Sequence, residues 1–371
     1  MRLYVAAGGG GDALAAAILH SIFAKPGEPA VIATLAWDRL LVDPLPGPRS
    51  INSFAGLEIL GPRTWRVTAR TRAIPPAGST LPRLSGEISP ALIVLDPANG
   101  ACGLAEQLRD AVTLFRAESV ELVDVGGDVV ARGDEAEVRS PLADCLLLAA
   151  CADLPVPTSV VVAGPGVDGE LAQDYVLGRI EPDGQLLLRL EPAHVSPYRE
   201  TFHWHPSEAT ALWSAASAGA RGVVEVRDGC VRLTLTDTSA DVFRVPHGAV
   251  FRAGRLAQAL AGTRSFAEAE DVARRVCGFC ETDRERRKAA QLTRTALSAP
   301  QPDLGEERMA AIGAQARARG VDFITFRRLA EAVGLGPGRY EAFRAEMIRR
   351  WPERHVAGLW SVAPAGELLH W

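Results

Sequence analysis

Arg2-Leu3-Tyr4-Val5-Ala6-Ala7-Gly8-Gly9-Gly10-Gly11-Asp12 is the stretch whose reading decides the fold. Leu3 to Ala7 is apolar without polar alternation, the pattern of a strand buried on both faces. Four glycines follow, and glycine permits positive φ and close approach of a ligand to the backbone. The apolar segment from Asp12 to Phe23 then reads as a helix. Its first turn would offer unpaired N–H groups and a partial positive charge to an anion.

The same rhythm recurs downstream. Ala30–Thr34, Leu92–Asp96, Val120–Val125 and Thr158–Ala163 read as further buried strands, and Gly103–Arg116, Pro141–Cys151 and Glu170–Leu177 as helices. Strand and helix in alternation imply right-handed crossovers and a parallel sheet covered on both sides. The expected fold is α/β, a Rossmann-like, doubly wound, mostly parallel sheet. Prolines 44, 46, 48, 62, 75, 76, 82 and 90 interrupt the rhythm and exclude long helices over 44–90. That excursion is expected to pack beside the sheet, with a short strand at Trp65–Thr71.

From Ser207 the texture changes. Ser207 reads as an N-cap for a helix over Glu208–Ala218, and Gly222–Val226 with Cys230–Thr236 as a hairpin turning at Asp228-Gly229. Beyond it the pattern is helical, over Leu256–Ala261, Phe266–Thr295, Gly305–Arg319, Phe326–Val333 and Pro337–Arg350. The expected division is 1–254 for the α/β domain and 255–371 for a helical subdomain packed on the sheet. A chain of 371 residues is long enough for this, since single cores stop growing at roughly 250–300 residues.

Composition narrows the class of function. The chain is 47% hydrophobic and carries a formal net charge of −5, so it lacks the electrostatic footprint of a nucleic-acid binder. No apolar run reaches the roughly 18 residues of a membrane span. The first apolar run is broken by glycines and lacks the h-region of a signal peptide. The expected compartment is the cytoplasm, with the six cysteines as thiols. The expected partner is a small-molecule ligand, with no nucleic acid and no membrane; a homo-oligomer is compatible with the sequence.

Candidate chemistry gathers where the strands end. Gly8, Gly9, Gly10, Gly11 and Asp12 follow the first strand. The loop resembles a dinucleotide fingerprint incompletely: Ala13 stands at the third glycine position, and no acidic residue closes the second strand. Asp96 and Asn99 follow the Leu92–Asp96 strand. Asp124, Gly126, Gly127 and Asp128 follow the next, and Asp168 and Glu170 the one after. Ser140 and Pro141 open a helix as N-cap and first residue, which leaves Asp144 unexplained in an otherwise apolar helix. Each loop alone is compatible with a plain turn. Loops leaving one edge of a sheet converge, however, and so many carboxylates would repel one another unless a cation or a cationic or hydroxyl-rich ligand is present. Asp124 and Asp128 are the expected metal pair for Mg²⁺ or Mn²⁺, or an acid–base pair.

Three other features compete with bland readings. His203 and His205 flank Trp204, and in an extended segment they would point the same way and could line a substrate. Cys277-Gly278-Phe279-Cys280 has C-x-x-C spacing but no second pair and no preceding strand. Glu281-Thr282-Asp283-Arg284-Glu285-Arg286-Arg287-Lys288 reads as surface ion pairs at helical spacing, or as a segment reaching the crevice from the helical part. No G-x-S-x-G elbow is present.

Taken together, the segments 6–13, 124–128, 140–144, 166–171 and 281–289, with the closing run Thr325-Phe326-Arg327-Arg328-Leu329-Ala330, resemble the bacterial domain-of-unknown-function family 1152. The resemblance implies a nucleotide-binding type of α/β fold and proteins found beside biosynthetic genes, and it fixes no activity. Cys277 and Cys280 are not part of the shared pattern. The expected function is an enzyme, a hydrolase or group transferase acting on a nucleotide-like or phosphorylated metabolite. Asp124, Asp128 and Asp144 would be catalytic, the glycine loop would hold an anionic or ribose-like group, and Asp168 and Glu170 would orient hydroxyl or amino groups. A non-catalytic nucleotide sensor, a nicotinamide or flavin oxidoreductase and a structural partner protein are the alternatives.

Overall fold

The computed structural model describes residues 1–25, 27–227, 231–296, 304–335 and 339–363. Its centre is a nine-stranded sheet. Five strands in it are parallel: β1 (Arg2–Ala6), β2 (Ala30–Leu35), β3 (Ala91–Leu95), β4 (Ser119–Val125) and β5 (Thr158–Ala163). They lie in the order β5-β4-β1-β2-β3. The chain therefore builds outward from β1 on one side, then returns and builds outward on the other.

Period-two alternation within these strands feeds two cores. Leu3 and Val5 of β1 join one core, against the helices Gly100–Leu114, Pro141–Ala150 and Phe266–Cys277. Tyr4 and Ala6 join the other, against Gly10–Phe23 and Glu208–Ser217. Helices thus cover both faces, as a parallel sheet requires. Antiparallel strands close both ends: Asp241–Pro246 beside β5 with Gln185–Arg189 outside it, and Thr64–Val67 beside β3 with Glu58–Gly61 outside that.

Several expectations need correction. The strand in the proline-rich excursion does not pack beside the sheet; Thr64–Val67 extends it, because the free edge of β3 offers backbone partners to any short extended segment. The helix expected over Phe266–Thr295 is two helices, Phe266–Cys277 and Glu281–Ala296. Gly278 stops the first in a left-handed conformation, φ 76°, a conformation that glycine adopts without strain. His203 lies within a helix, Arg199–Trp204, and not in an extended segment.

The tail is not wholly helical. Phe323–Thr325, His355–Val356 and Leu359–Ser361 join Gly222–Val226 and Val231–Leu235 in a second, five-stranded sheet. Gly222–Val226 pairs parallel with Phe323–Thr325, so a hairpin from before residue 254 and strands from after it share one sheet. The turn at Asp228-Gly229 lies outside the described residues, although the strands flanking it pair antiparallel. Pro337 also lies outside them; the last described helix is Tyr340–Arg350. Among the described residues, no helix is long and apolar enough to cross a membrane.

Candidate functional site

The strand order sets the site. Where the chain reverses, loops after neighbouring strands diverge and leave a crevice at the carboxyl ends. Here β1 and β4 are those neighbours, held together up to their ends by the Ala7 N–H donating to the Val123 carbonyl at 2.9 Å. The cleft above them is lined by Gly8, Gly10, Gly11 and Asp12 after β1, by Asp124 and Val125 at the end of β4 and Asp128 after it, and by Asp168 and Glu170 after β5. Ser140 and Asp144 reach it from the helix Pro141–Ala150.

The glycine loop is shaped by what it touches. Gly9 has φ 106°, and a side chain there would press on the Trp37 carbonyl. Gly8 donates its N–H to Asp12 Oδ2 at 2.5 Å, folding the Asp12 carboxylate back over the loop. At Gly11 a Cβ would stand 2.4 Å from Ser207 Oγ, so only glycine lets the helix Glu208–Ser217 approach. Gly10 and Gly11 begin the helix Gly10–Phe23, where no carbonyl lies one turn earlier to accept their N–H groups.

Three carboxylates meet under this loop. One oxygen each from Asp12, Asp124 and Asp144 lies within 4.8 Å of the other two, and all three side chains are buried. Two oxygens on opposite sides of a cation with bonds of 2.0–2.5 Å stand about 4–5 Å apart, so the set has the size of a cation site. Asp124 Oδ2 accepts the Val129 N–H at 3.0 Å. Asp144 Oδ1 is buried with no hydrogen-bond partner among the described residues. Burial raises all three above the ordinary carboxylate range; repulsion by Asp12 adds to it at Asp124 and repulsion by Asp124 and Asp12 at Asp144, while at Asp12 the Gly8 and Val125 N–H groups and Arg39 work against burial and leave it at about 7. A bound divalent cation would reverse that balance.

Asp128 is not one of the converging three; the metal pair expected from sequence, Asp124 with Asp128, becomes Asp124 with Asp12 and Asp144. Asp128 instead lies beside Asp168. Burial, then Asp168 and Glu170, push Asp128 well up, and burial, then Glu170, push Asp168 to about 6. Asp128 lines the cleft, and its Oδ1 is buried without a hydrogen-bond partner among the described residues. Gly126, at φ 122°, makes room for this pair, since a Cβ there would fall 2.4 Å from Asp168 Cγ. Gly127, at φ 117°, likewise admits Val176.

Other expected residues belong to the frame. Glu170 accepts from Arg139 N at 2.6 Å, from Ser140 N at 2.8 Å, from Ser140 Oγ at 2.5 Å and from Arg227 Nη1 at 2.7 Å. Burial would raise it, but Arg227 and these donors hold it down at about 2. Glu170 is thus an ionised strut without capacity to orient a ligand hydroxyl. Ser140 sits at the N-cap position yet makes no side-chain cap; its hydroxyl is spent on Glu170. Asp96 and Asn99 lie away from the cleft. Asp96 caps its own turn through the Ala98 N–H at 2.9 Å and reaches the Ile51 N–H at 3.3 Å.

The histidines part company. His203 pairs with Glu200 at 3.4 Å and packs edge-on to His355, outside the cleft. His205 lines the cleft. Its Nδ1 accepts the Ser207 N–H at 3.3 Å, which leaves the proton on Nε2. That nitrogen is buried without a hydrogen-bond partner among the described residues. Burial, then Arg344, drives His205 down to about 3, so it is a neutral N–H donor at physiological pH. The buried Arg344 holds it there by donating to the carbonyls of His205 and Phe202.

Sequence reasoning missed several wall residues. Arg227 closes on Glu170 from a left-handed backbone position, φ 38°. Glu208 is held ionised against burial by Arg327, at 3.0 Å, and by Thr325. Glu281 enters the cleft from the helix Glu281–Ala296 with Oε2 lacking a hydrogen-bond partner among the described residues. The reading of 281–288 as a segment reaching the crevice is the one the geometry supports for Glu281, Arg284, Glu285, Arg287 and Lys288. Glu285 fixes that helix to the strand loops by accepting from Trp37 Nε1 at 3.1 Å and Gly47 N at 2.7 Å. Asp283 and Arg286 form surface pairs as expected. Cys277 and Cys280 are free thiols that burial raises above their ordinary range, the opposite of a reactive pair.

The fold and site define a class: an α/β protein with a buried carboxylate cluster at the carboxyl end of a mostly parallel sheet. Within that class the chain belongs to the family described as "Protein of unknown function (DUF1152)", whose pattern matches residues 3–289. The Thr325–Ala330 run lies beyond the matched range. No curated protein matches the chain, and no solved structure does.

Proposed function

We propose that this chain is a metal-dependent hydrolase or group transferase acting on a nucleotide-like or phosphorylated small metabolite, on a Rossmann-like scaffold. The observation that carries the reading is the convergence of Asp12, Asp124 and Asp144 within 4.8 Å, buried with no cationic side chain bonded to any of them among the described residues. Three buried carboxylates with no ion pair among the described residues, and only the more distant charge of Arg39 acting on Asp12, are unfavourable in isolation, and a divalent cation such as Mg²⁺ or Mn²⁺ would turn that repulsion into binding.

The neighbouring groups suit hydrolysis or transfer. A cation at the triad would polarise a phosphoryl or acyl oxygen and acidify a bound water. Asp128, beside Asp168, takes the proton of the attacking water or hydroxyl and returns it to the leaving group. The His205 Nε2–H and the N–H groups of Gly10 and Gly11 are donors for developing negative charge. A strand order that reverses beside β1 supports the Rossmann-like assignment.

A thermal-shift screen of nucleotides, sugar phosphates and related metabolites, with and without Mn²⁺, tests this. The expected result is a metal-dependent rise in Tm with a ligand that is then turned over, and loss of turnover in Asp128→Ala. A folded Asp128→Ala protein with binding and turnover intact would sink the acid–base assignment.

A further inference from the structure

The cleft continues outward into a second chamber of opposite character. The two share Arg39, Ser140, Glu170, Arg227, Glu281 and Arg327. The outer chamber has a volume of about 310 Å³ and adds Arg139, Arg284, Arg287 and Lys288. Seven cationic side chains line it against four carboxylates, Glu170, Glu281, Glu285 and Glu331. In a chain with a net charge of −5, this is a local reversal of sign.

The four carboxylates do not neutralise the cations at the mouth. Glu170 is committed to Arg227. Glu285 serves Trp37 and Gly47, and Glu331 pairs with Lys288 and Arg327. Burial and then Glu285 raise Glu281, which favours its neutral form. Arg284 is half-buried, and its guanidinium donates to the carbonyl of Arg139 with no carboxylate paired to it among the described residues. Burial without a paired anion lowers its pKa. Arg39, Arg139 and Arg287 are exposed and likewise form no ion pair among the described residues. They come from three separate segments: the loop after β2, the turn before Pro141 and the helix Glu281–Ala296. A solvated face of one helix does not gather guanidinium groups from three elements into one concavity.

We infer that the outer chamber, formed by Arg39, Arg139, Arg284 and Arg287, is the phosphate subsite, and that the ligand is two-ended. Its phosphate or diphosphate tail lies between the guanidinium groups, and its other end reaches the carboxylate floor. This rests on the proposed function and moves the phosphate away from the glycine loop, where the sequence had placed it. Guanidinium groups match phosphate oxygens bidentately, whereas the glycine loop is crowded by Asp12 and Asp144, whose charges oppose a second anion unless a cation intervenes. The leucines that share the chamber, Leu40, Leu41 and Leu292, exclude water and strengthen those contacts.

Inorganic pyrophosphate is the probe, titrated calorimetrically into the full chain in metal-free buffer, with sulfate at equal ionic strength as control. Mn²⁺ binding is measured separately on the same proteins. One pyrophosphate per chain is expected without metal. Its affinity should fall at least about tenfold in Arg284→Ala/Arg287→Ala, with Mn²⁺ binding retained. Should the double variant not fold, Arg39→Ala and Arg287→Ala singly are each expected to weaken pyrophosphate several-fold. Three outcomes overturn the inference: no binding, equal binding by the variants, or equal displacement by sulfate. Pyrophosphate that binds only with Mn²⁺ and is lost in Asp144→Asn also overturns it, placing phosphate at the floor. In each of these cases Mn²⁺ binding still judges the proposed function on its own.

Discussion

Two sets of carboxylates occupy one cleft and have opposite fates. Glu170, buried, and Glu208, partly buried, lie beside Arg227 and Arg327, hydrogen-bonded and held ionised. Asp12, Asp124 and Asp144 are buried, a few ångströms from one another, and pushed toward their neutral forms. Glu170 is as buried as the three aspartates; the counter-charge differs. Each of the two glutamates has an arginine in direct contact, whereas the three aspartates have no ion pair among the described residues and feel only the more distant Arg39, at Asp12; the first set is a frame, and the second is the set that a cation would complete.

The contrast breaks first at the frame. Glu170→Ala would leave Arg227 buried without its carboxylate and release four donors, an expected loss of about 3–5 kcal/mol in urea unfolding. A loss below about 1 kcal/mol would mean that Glu170 is no strut. Gly126→Ala comes next. Its φ of 122° and the contact with Asp168 should together remove about 2–3 kcal/mol, and the pH at which the Asp128–Asp168 pair titrates should shift in any protein that still folds. A neutral result would separate the loop from the pair.

The aspartate set sharpens the contrast through pH. Asp12 at about 7 and Asp168 at about 6 lie above the ordinary carboxylate value of 3.8. A raised folded-state pKa contributes stability that is full below the unfolded value and is lost as pH rises through the folded one. Glu170, held at about 2, acts in the opposite sense and loses its contribution only as pH falls below about 4.5. Metal-free protein should therefore melt a few degrees higher near pH 5.5 than at pH 8, and added Mn²⁺ should narrow the gap. A Tm that rises steadily from pH 5.5 to pH 8 would contradict the shifted aspartates. The smallest effect is Asp144→Asn, which removes one repelling charge. At pH 8 without metal it is expected to gain about 1 kcal/mol, whereas destabilisation would show that Asp144 is structural.

Much of this was legible in the chain. The strands ending at Ala6 and Val125 and the helix carrying Asp144 are long, apolar and bounded by glycines, and each expected strand or helix in the first half lies within a few residues of its observed position, because burial on both faces leaves a continuous apolar run. That the loops carrying Asp12, Asp124, Asp128 and Asp168 meet at one crevice was expected from topology, but the particular three that converge, Asp12, Asp124 and Asp144, were not. What was illegible depends on partners distant in sequence. Strands of two or three residues such as His355–Val356 carry no period and exist only because a neighbour supplies the ladder. Asp128 sits in the same motif as Asp124, and sequence alone could not tell which of the two turns toward the triad and which toward Asp168. Arg227 and Arg39 lie in no motif at all, although the reversal of charge within 281–288 was a visible hint of the basic chamber.

The most direct measurement is a calorimetric Mn²⁺ titration of wild-type chain and Asp144→Asn near pH 7, repeated in buffers of different ionisation enthalpy. One Mn²⁺ per chain is expected, with release of protons from the raised aspartates and at least about tenfold weaker binding in the variant. No binding, or binding that Asp144→Asn leaves unchanged, would contradict the assignment of the three aspartates as a cation site.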